Sequence, residues 1–473
     1  MKRYTAILAV AVIATAVQTA HAAPTALVLQ EGASMRAGAR DSAPQQAQLQ
    51  RGDVLEIRDE RLDYYQVWDY RRERGGYVRK SQATPLATDA PTLLAQLRLT
   101  LPQDGGEGLG LALAAAYIQA APRSELAAEP GAEVLDALGT LGQRIAANTT
   151  PRRAGLLDLA SRYGLRFDSY AQADGSVRLC YDGDAFRRVL SLPGAPTMRA
   201  RAALALTRPE CRSSTATPQE ARSLDDWRAE VLAHAPLQGL SAFEKNRVLM
   251  RRAAVAASRA FARGDAELAK AALADFAQLE PAEIAEDDMP DYNDTAMRVN
   301  AVRWTAQPAA DERSLGSLKL TLKDGATPGE RCLTLTDPKG QGLGRCSFGR
   351  ISLASASLSR EGNALALAVQ TLDGWRELWV LAKAGGEWTL QVLPPAAAAP
   401  GLGYVEFAGW VPGGKQLLVA QESRAEGRYA SRRFAVLDLG TLTPQRQAPD
   451  ISQLGAFQRW SDPAWKGASL ALR

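Results

Sequence analysis

The sequence predicts a multidomain chain: a small β-rich unit first, a mainly α-helical middle, and an all-β C-terminal domain. Three observations carry this. Residues 26–86 hold short period-two runs between charged turns. Residues 91–300 are dominated by Ala, Leu, Arg and Glu, with apolar residues recurring at three and four. In 310–473 a glycine turn followed by an alternating strand, SREGNALAL at Ser359–Leu367, returns about 52 residues later as VPGGKQLLV at Val411–Val419.

A chain of 473 residues suits about three domains, and 46% apolar residues are enough to fill their cores. The first residues, MKRYTAILAVAVIATAVQTAHAAP, combine basic Lys2 and Arg3, an apolar run too short to span a bilayer, and the small-x-small site Ala20-His21-Ala22. They read as a signal peptide over 1–22, cleaved after Ala22, which implies a periplasmic or secreted protein. No later segment is apolar enough to cross a membrane. Losing Lys2 and Arg3 lowers the formal charge from +4 to +2, a balance that does not steer the chain toward nucleic acid.

In the β-rich unit the runs are RGDVLEI (51–57), YYQVWDY (64–70) and GGYV (75–78), separated by glycine-bearing turns. In the helical middle, prolines punctuate the helices, and VRLCY (177–181), opened by Asp174-Gly175, interrupts them as a short strand or hairpin. Glu280–Asp294, EPAEIAEDDMPDYND, reads as an acidic linker that ends this domain. In 310–473 hairpin turns fall at Asp324-Gly325, Asp337–Gly340, Asp373-Gly374, Gly385-Gly386 and Gly413-Gly414. The strands between them are 318–322, 332–336, 365–369, 377–382, 388–393, 416–420 and 433–439.

Three resemblances rest on these residues. Met35-Arg36-Ala37-Gly38, Gly52-Asp53-Val54, Tyr64–Val67 and Gly76-Tyr77-Val78 make residues 26–86 resemble the bacterial SH3 (SH3b) family. That implies an SH3-like β-barrel of the kind that binds peptides or cell-wall stems. Ala253–Pro281, with Gly264, Ala269 and Leu273, resembles one tetratricopeptide-like helical hairpin. The 52-residue repeat resembles WD40-like or TolB-type propeller units, so the C-terminal domain is expected as propeller-like repeats or a sandwich of sheets. In a propeller, a third partial copy from Ser461-Asp462-Pro463 would end in a strand at Ser469–Leu472 that completes the first sheet. Taken whole, the chain resembles exported bacterial proteins that carry an SH3 domain.

Four cysteines follow the signal, and export favours their oxidation. Their local clustering favours Cys180–Cys211 and Cys332–Cys346 among three possible pairings. Zinc is the rival, but no CxxC occurs; reduced, buried thiols are the other alternative.

The search for catalytic chemistry returns no residue. His234, the one histidine after the signal, sits at a helix end before Pro236, where interaction with the helix C-terminus accounts for it. Asp104–Gly110, DGGEGLG, lacks the Gly-Lys-Ser/Thr of a phosphate loop. The run Asp287, Asp288, Asp291, Asn293, Asp294 does not follow the calcium-loop order. No metal and no cofactor is implied. Paired carboxylates for glycoside hydrolysis are recognised by spacing in space, which the sequence does not give.

Aromatic residues are the better lead. Tyr64, Trp68, Tyr70 and Tyr77, with Arg71 beside them, form a candidate groove for a peptide, glycan or protein partner. Strand alternation puts Tyr64 and Trp68 on the face opposite Tyr65, so one strand cannot bury them all. The alternative is that the rings are only the core and rim of a small barrel. A second group, Trp375, Trp379, Trp388, Phe407 and Trp410, is expected between sheets. The expectation is therefore a non-catalytic binding or scaffold protein of the bacterial envelope; the alternative is a carboxylate-based hydrolase of envelope polymers.

Overall fold

The computed structural model describes residues 23–148, 154–172, 174–397 and 401–468. The expected signal peptide, 1–22, and the expected closing strand, Ser469–Leu472, lie outside the described residues. The chain divides into two compact units, one reaching Asp168 and adding Cys180–Asp182, the other holding Ser169–Leu179 and everything from Gly183.

In the first unit seven antiparallel strands follow the order Gln45–Leu49, Ala33–Arg36, Arg74–Arg79, Tyr64–Asp69, Val54–Arg61, Thr25–Val28, Ala83–Pro85. Met35, Leu49, Leu55, Tyr65, Val67 and Val78 fill its core. The two edge strands, of five and three residues, are not hydrogen-bonded to each other. The described strands thus form an open sheet, where the resemblance implied a closed barrel. Helices Ala90–Thr100, Glu107–Ala120, Glu129–Ala147 and Ala154–Arg162 follow. The first is started by Asp89, whose carboxylate accepts from the Thr92 N–H, with Pro91 in the opening turn.

The glycine-rich stretch before the second helix has a packing role. Gly52 has φ +95°, and a Cβ there would lie 2.3 Å from the Gly108 carbonyl oxygen; a Cβ on Gly108 would lie 2.2 Å from that of Arg51. Only paired glycines let the sheet turn and the helix start touch backbone to backbone.

VRLCY is the strand Val177–Tyr181, and its neighbour Phe167–Ala171 was not anticipated. Helices Pro218–Ala233 and Ala242–Arg263 each open on a reciprocal cap, Thr217 with Glu220 and Ser241 with Glu244. The expected helical hairpin is present. Gly264 ends Ala242–Arg263 at φ +66°, Asp265 starts Ala266–Ala277, and Ala253, Ala257, Ala260, Ala269 and Ala272 are fully buried where the helices meet.

The acidic stretch is not a linker. Two short 3₁₀ turns lead into the helix Met289–Val302, with Pro290 and Asp291 in its first turn, where a missing N–H and a negative charge are both favourable. Three of its carboxylates are paired: Asp288 with Arg247 at 2.7 Å, Asp291 with Arg251 at 3.6 Å, and Asp294 with Arg424 at 2.5 Å.

Among the described residues the all-β region has three successive four-stranded antiparallel meanders, and the two-residue strand Arg350–Ile351 also pairs with the second strand of the second one. The first is Glu312–Leu315, Leu318–Asp324, Arg331–Thr336 and Gly342–Ser347. The second is Ser357–Leu358, Ala364–Leu372, Trp375–Ala384 and Glu387–Leu393. The third is Leu402–Val411, Gln416–Ala425, Arg428–Asp438 and Pro444–Ala448. The sequence repeat is the first turn of a meander: Gly316 (φ +58°), Gly362 (φ +71°) and Gly414 (φ +65°) each precede a second strand. A two-residue parallel contact, Trp375–Arg376 against Gly403–Tyr404, joins the second meander to the third. One apolar layer packs Leu320 and Leu335 of the first meander on Leu367, Trp379 and Leu381 of the second. Another packs Val380 on Val405, Leu417 and Val419. Of the five rings expected between sheets, Trp375, Trp379 and Trp388 are buried, and Phe407 and Trp410 are half-buried against the second of these layers. No ring of sheets closes among the described residues.

At the third echo the residues before the expected strand are described. Asp462 accepts from the Ala464 N–H at 2.8 Å and Pro463 opens the helix Pro463–Ala468, so Ser-Asp-Pro is a helix start here. That helix and Gly455–Trp460 bring Trp465 and Phe457 edge-on to Phe434, at 6.3 and 5.5 Å between ring centres.

Both cysteine groups are oxidised. Cys332 and Cys346 sit directly opposite each other on neighbouring strands and are joined, and Cys180 and Cys211 are each disulfide-bonded. No helix is long and apolar enough to cross a membrane among the described residues.

Two stability predictions follow from this packing. Gly52→Ala forces a left-handed backbone and a backbone clash together, so it should cost about 2–4 kcal/mol in urea unfolding. Removing the Cys332–Cys346 bond, which spans 14 residues of sequence, with paired serines should cost about 3 kcal/mol, as should reduction of that bond alone.

Candidate functional site

The strand Tyr64–Asp69 lies between Val54–Arg61 and Arg74–Arg79 in the first sheet. Its pleat divides the aromatic residues: Tyr65 and Val67 join the core, and Trp68 does not. Register puts Tyr77 opposite Gln66 and Gly75 opposite Trp68, so Tyr77 and Trp68 share the outer face. A Cβ on Gly75 would approach the Trp68 ring to 3.3 Å, so the glycine makes room for the indole. Glu56 is the cross-strand partner of Trp68 on the other side. It pairs with Arg58 at 2.7 Å and accepts the Tyr70 hydroxyl, while the Arg58 guanidinium lies 5.5 Å from the Trp68 ring centre. Trp68 and Tyr77 are half-buried and Tyr70 is 67% exposed. The result is an aromatic strip edged by one cation and one carboxylate.

Two of the candidate residues are engaged elsewhere. Tyr64 is buried; its hydroxyl donates to Asp41 at 2.7 Å and the Arg79 guanidinium covers its ring at 5.2 Å. Arg71 turns to Asp53 at 3.6 Å. That carboxylate is only 5% exposed and also receives Arg72 and Arg162, at 3.3 and 3.5 Å. The hydrogen bond from Arg79, then that from Tyr64, hold the Asp41 carboxyl down at about 2. The Tyr64 hydroxyl is raised by Asp41 and that of Tyr70 by Glu56.

Glu56, Arg58, Asp41 and Arg79 were not singled out from the sequence. The two-residue spacing of Glu56 and Arg58 on an alternating strand was a usable signal for the first pair. Asp41 comes from a loop, and no local pattern ties it to Tyr64.

The remaining candidates resolve into structure. His234 caps the helix Pro218–Ala233, with Nδ1 2.8 Å from the Glu230 carbonyl oxygen. Among the described residues the one group of His, Cys, Asp or Glu close enough to share a metal is Glu330 with Cys332 and Cys346, whose sulfurs are already joined.

The second unit holds a separate cleft of about 770 Å³, lined in part by Asp225, Ser258, Asp373 and Trp304. Burial pushes the Asp225 carboxyl up, with Arg228 opposing and Asp373 reinforcing the shift. Asp373 accepts from Ser258 Oγ at 2.9 Å and from Arg298 at 2.7 Å. No protein-family model matches the chain, and no curated protein or solved structure matches it.

The Asp41 geometry fixes a pH dependence. A carboxylate whose folded value lies below its ordinary 3.8 adds stability above that pH and loses it as pH falls through about 2. Asp41→Asn should therefore lower the melting temperature at neutral pH. The gap from the unsubstituted protein should narrow below about pH 4 and close near pH 2 in parallel thermal melts.

Proposed function

We propose that this chain is an exported, non-catalytic binding protein of the bacterial envelope. Its SH3b-like first sheet would contact peptidoglycan stem peptides through the outer face of Tyr64–Asp69 and Arg74–Arg79. The observation that carries the reading is the strip Trp68, Tyr70, Tyr77 with Arg58 and Glu56. Aromatic faces give area to a chain laid across them, and the flanking charges supply polar contacts. Export is supported by the oxidised cysteines and by the signal-like first 22 residues. The three meanders support a propeller-type run of blades as added partner surface.

A second reading, a carboxylate-based hydrolase, draws on the cleft where a desolvated Asp225 and a paired Asp373 line one space. Two carboxyl groups in unlike environments are the arrangement acid–base hydrolysis uses.

One set of assays separates them. Purified sacculi should retain the protein, and Trp68→Ala or Tyr70→Ala should each weaken retention about tenfold, near 1.4 kcal/mol. Tyr64→Ala should lower stability instead. No retention, or a Trp68→Ala variant that binds like the parent, overturns wall binding. Loss of sacculus turbidity that disappears with Asp225→Asn would replace the binding reading with the hydrolytic one.

A further inference from the structure

The cleft in the second unit carries an observation that the binding strip does not explain. Strand pairing sets Arg350 opposite Gln370 and Gln370 opposite Arg376, so three neighbouring strands place Arg350, Gln370 and Arg376 in one row on one face. All three line the cleft. Along the same face of Ala364–Leu372 the preceding residues are Ala364, Ala366 and Ala368, all buried. The apolar row is thus interrupted by polar side chains at the cleft.

Arg350 donates to the Phe261 carbonyl, but Gln370 and Arg376 keep polar atoms that the protein does not satisfy. Gln370 is 4% exposed, yet neither its amide nitrogen nor its amide oxygen has a hydrogen-bond partner. Arg376 is 1% exposed; its Nη1 donates to the Asn300 carbonyl at 2.5 Å, while Nε and Nη2 have no hydrogen-bond partner. Nε and Nη2 form the side-on edge of a guanidinium, the edge that receives carboxylate or phosphate oxygens in pairs. The carboxylate nearest to that edge, Glu406, is 3.8 Å from Nη2 and is shared with Arg303. A buried donor or acceptor left without a partner costs about 1–3 kcal/mol, so a group of four such atoms at a cleft marks a place where another molecule completes the bonds.

Charge agrees. Five arginines line the cleft, 212, 222, 331, 350 and 376, against three aspartates, 225, 311 and 373. Two of those aspartates are paired with arginines outside the lining, Asp225 with Arg228 and Asp373 with Arg298. The field inside therefore favours an anion. Phe261 and Trp304 add apolar wall, and the volume is that of a small-molecule site.

We propose that this cleft binds a small organic anion, its carboxylate or phosphate on the Nε–Nη2 edge of Arg376, which makes no hydrogen bond within the protein, and a neighbouring amide or hydroxyl on Gln370. The two sources of anion differ in shape and charge, and the test treats them as separate arms. The full mature chain is titrated with N-acetyl-alanyl-alanine in one arm and glycerol phosphate in the other, read by calorimetry and by Trp304-dependent fluorescence.

One probe should saturate below about 1 mM. Gln370→Leu should weaken that binding at least tenfold while leaving the melting temperature of the free protein equal or higher, because it replaces an unsatisfied amide with an apolar group of similar size. Arg376→Lys, which keeps the charge and loses the side-on edge, should weaken it similarly. If Arg376→Lys does not fold, Gln370→Leu decides alone. No saturation by either probe up to about 10 mM, or Gln370→Leu binding like the parent, overturns the proposal. The cleft and the aromatic strip belong to different units, so sacculus retention can fail while this binding stands, and the reverse.

Discussion

Helix ends that stop inside the fold are the constraint on which much else rests. The last carbonyls of a helix have no partner within it, and a buried carbonyl left bare is costly. In this chain arginines reach across to them. Arg144 donates to the Leu101 carbonyl after Ala90–Thr100. Arg199 donates to Leu190 and Leu192 at the end of Asp184–Ser191, both at 3.2 Å, and Arg251 to Thr207 after Pro196–Leu206 at 2.6 Å. Arg350 serves Phe261 in the last turn of Ala242–Arg263, and Arg376 serves Asn300 in that of Met289–Val302. A cation there also meets the negative end of the helix dipole. These bonds differ from glycine caps in reach: two of the five donors stand on strands, so the same contact that finishes a helix docks it on a sheet.

The last of these contacts sits within a buried charge group. Arg303 and Glu406 are 7% and 5% exposed and directly paired, with Arg376 at 3.8 Å from the same carboxylate. Burial pulls the Arg376 guanidinium down to about 10, with Glu406 opposing the shift. Such a group adds little net stability over an apolar replacement, but removing one member strands the others. Its effect is positional. The Asn300 carbonyl holds Nη1 and Glu406 lies 3.8 Å from Nη2, so the direction of the Nε–Nη2 edge is set from both terminal nitrogens.

Much of the architecture was legible because it follows local rules. The strands 365–369, 377–382 and 416–420 are β-rich runs bounded by glycine turns, and the turn residues take the left-handed conformations that glycine accepts. The aromatic strip was legible to the extent that alternation decides it, which separates Trp68 from Tyr65. It fails at Tyr64, whose burial depends on Asp41 and Arg79, 23 residues before and 15 after it, and at Arg71, which a buried carboxylate claims. The acidic segment misled for a related reason. Asp288, Asp291 and Asp294 look like a solvated linker until Arg247, Arg251 and Arg424 are brought to them by the fold. The cleft was not legible at all. The row Arg350, Gln370, Arg376 exists only through strand register, which a turn sequence constrains but a distant strand pairing does not.

The two sites differ in how their polar atoms are used, and that difference sets what each can discriminate. On the aromatic strip, Tyr70 and Arg58 are already bonded to Glu56, so a partner gains mainly contact area and gives up few unmet bonds if it is the wrong one. Such a surface tolerates variation in what it holds. In the cleft the unmet bonds belong to Gln370 and Arg376, which are nearly inaccessible to solvent. A ligand that cannot supply both an anion and a pairing group leaves those atoms bare in a low-dielectric setting, a penalty a correct ligand does not face. On the two proposals, selectivity in the cleft would come from what the protein withholds from its own side chains, and binding on the strip from breadth of contact.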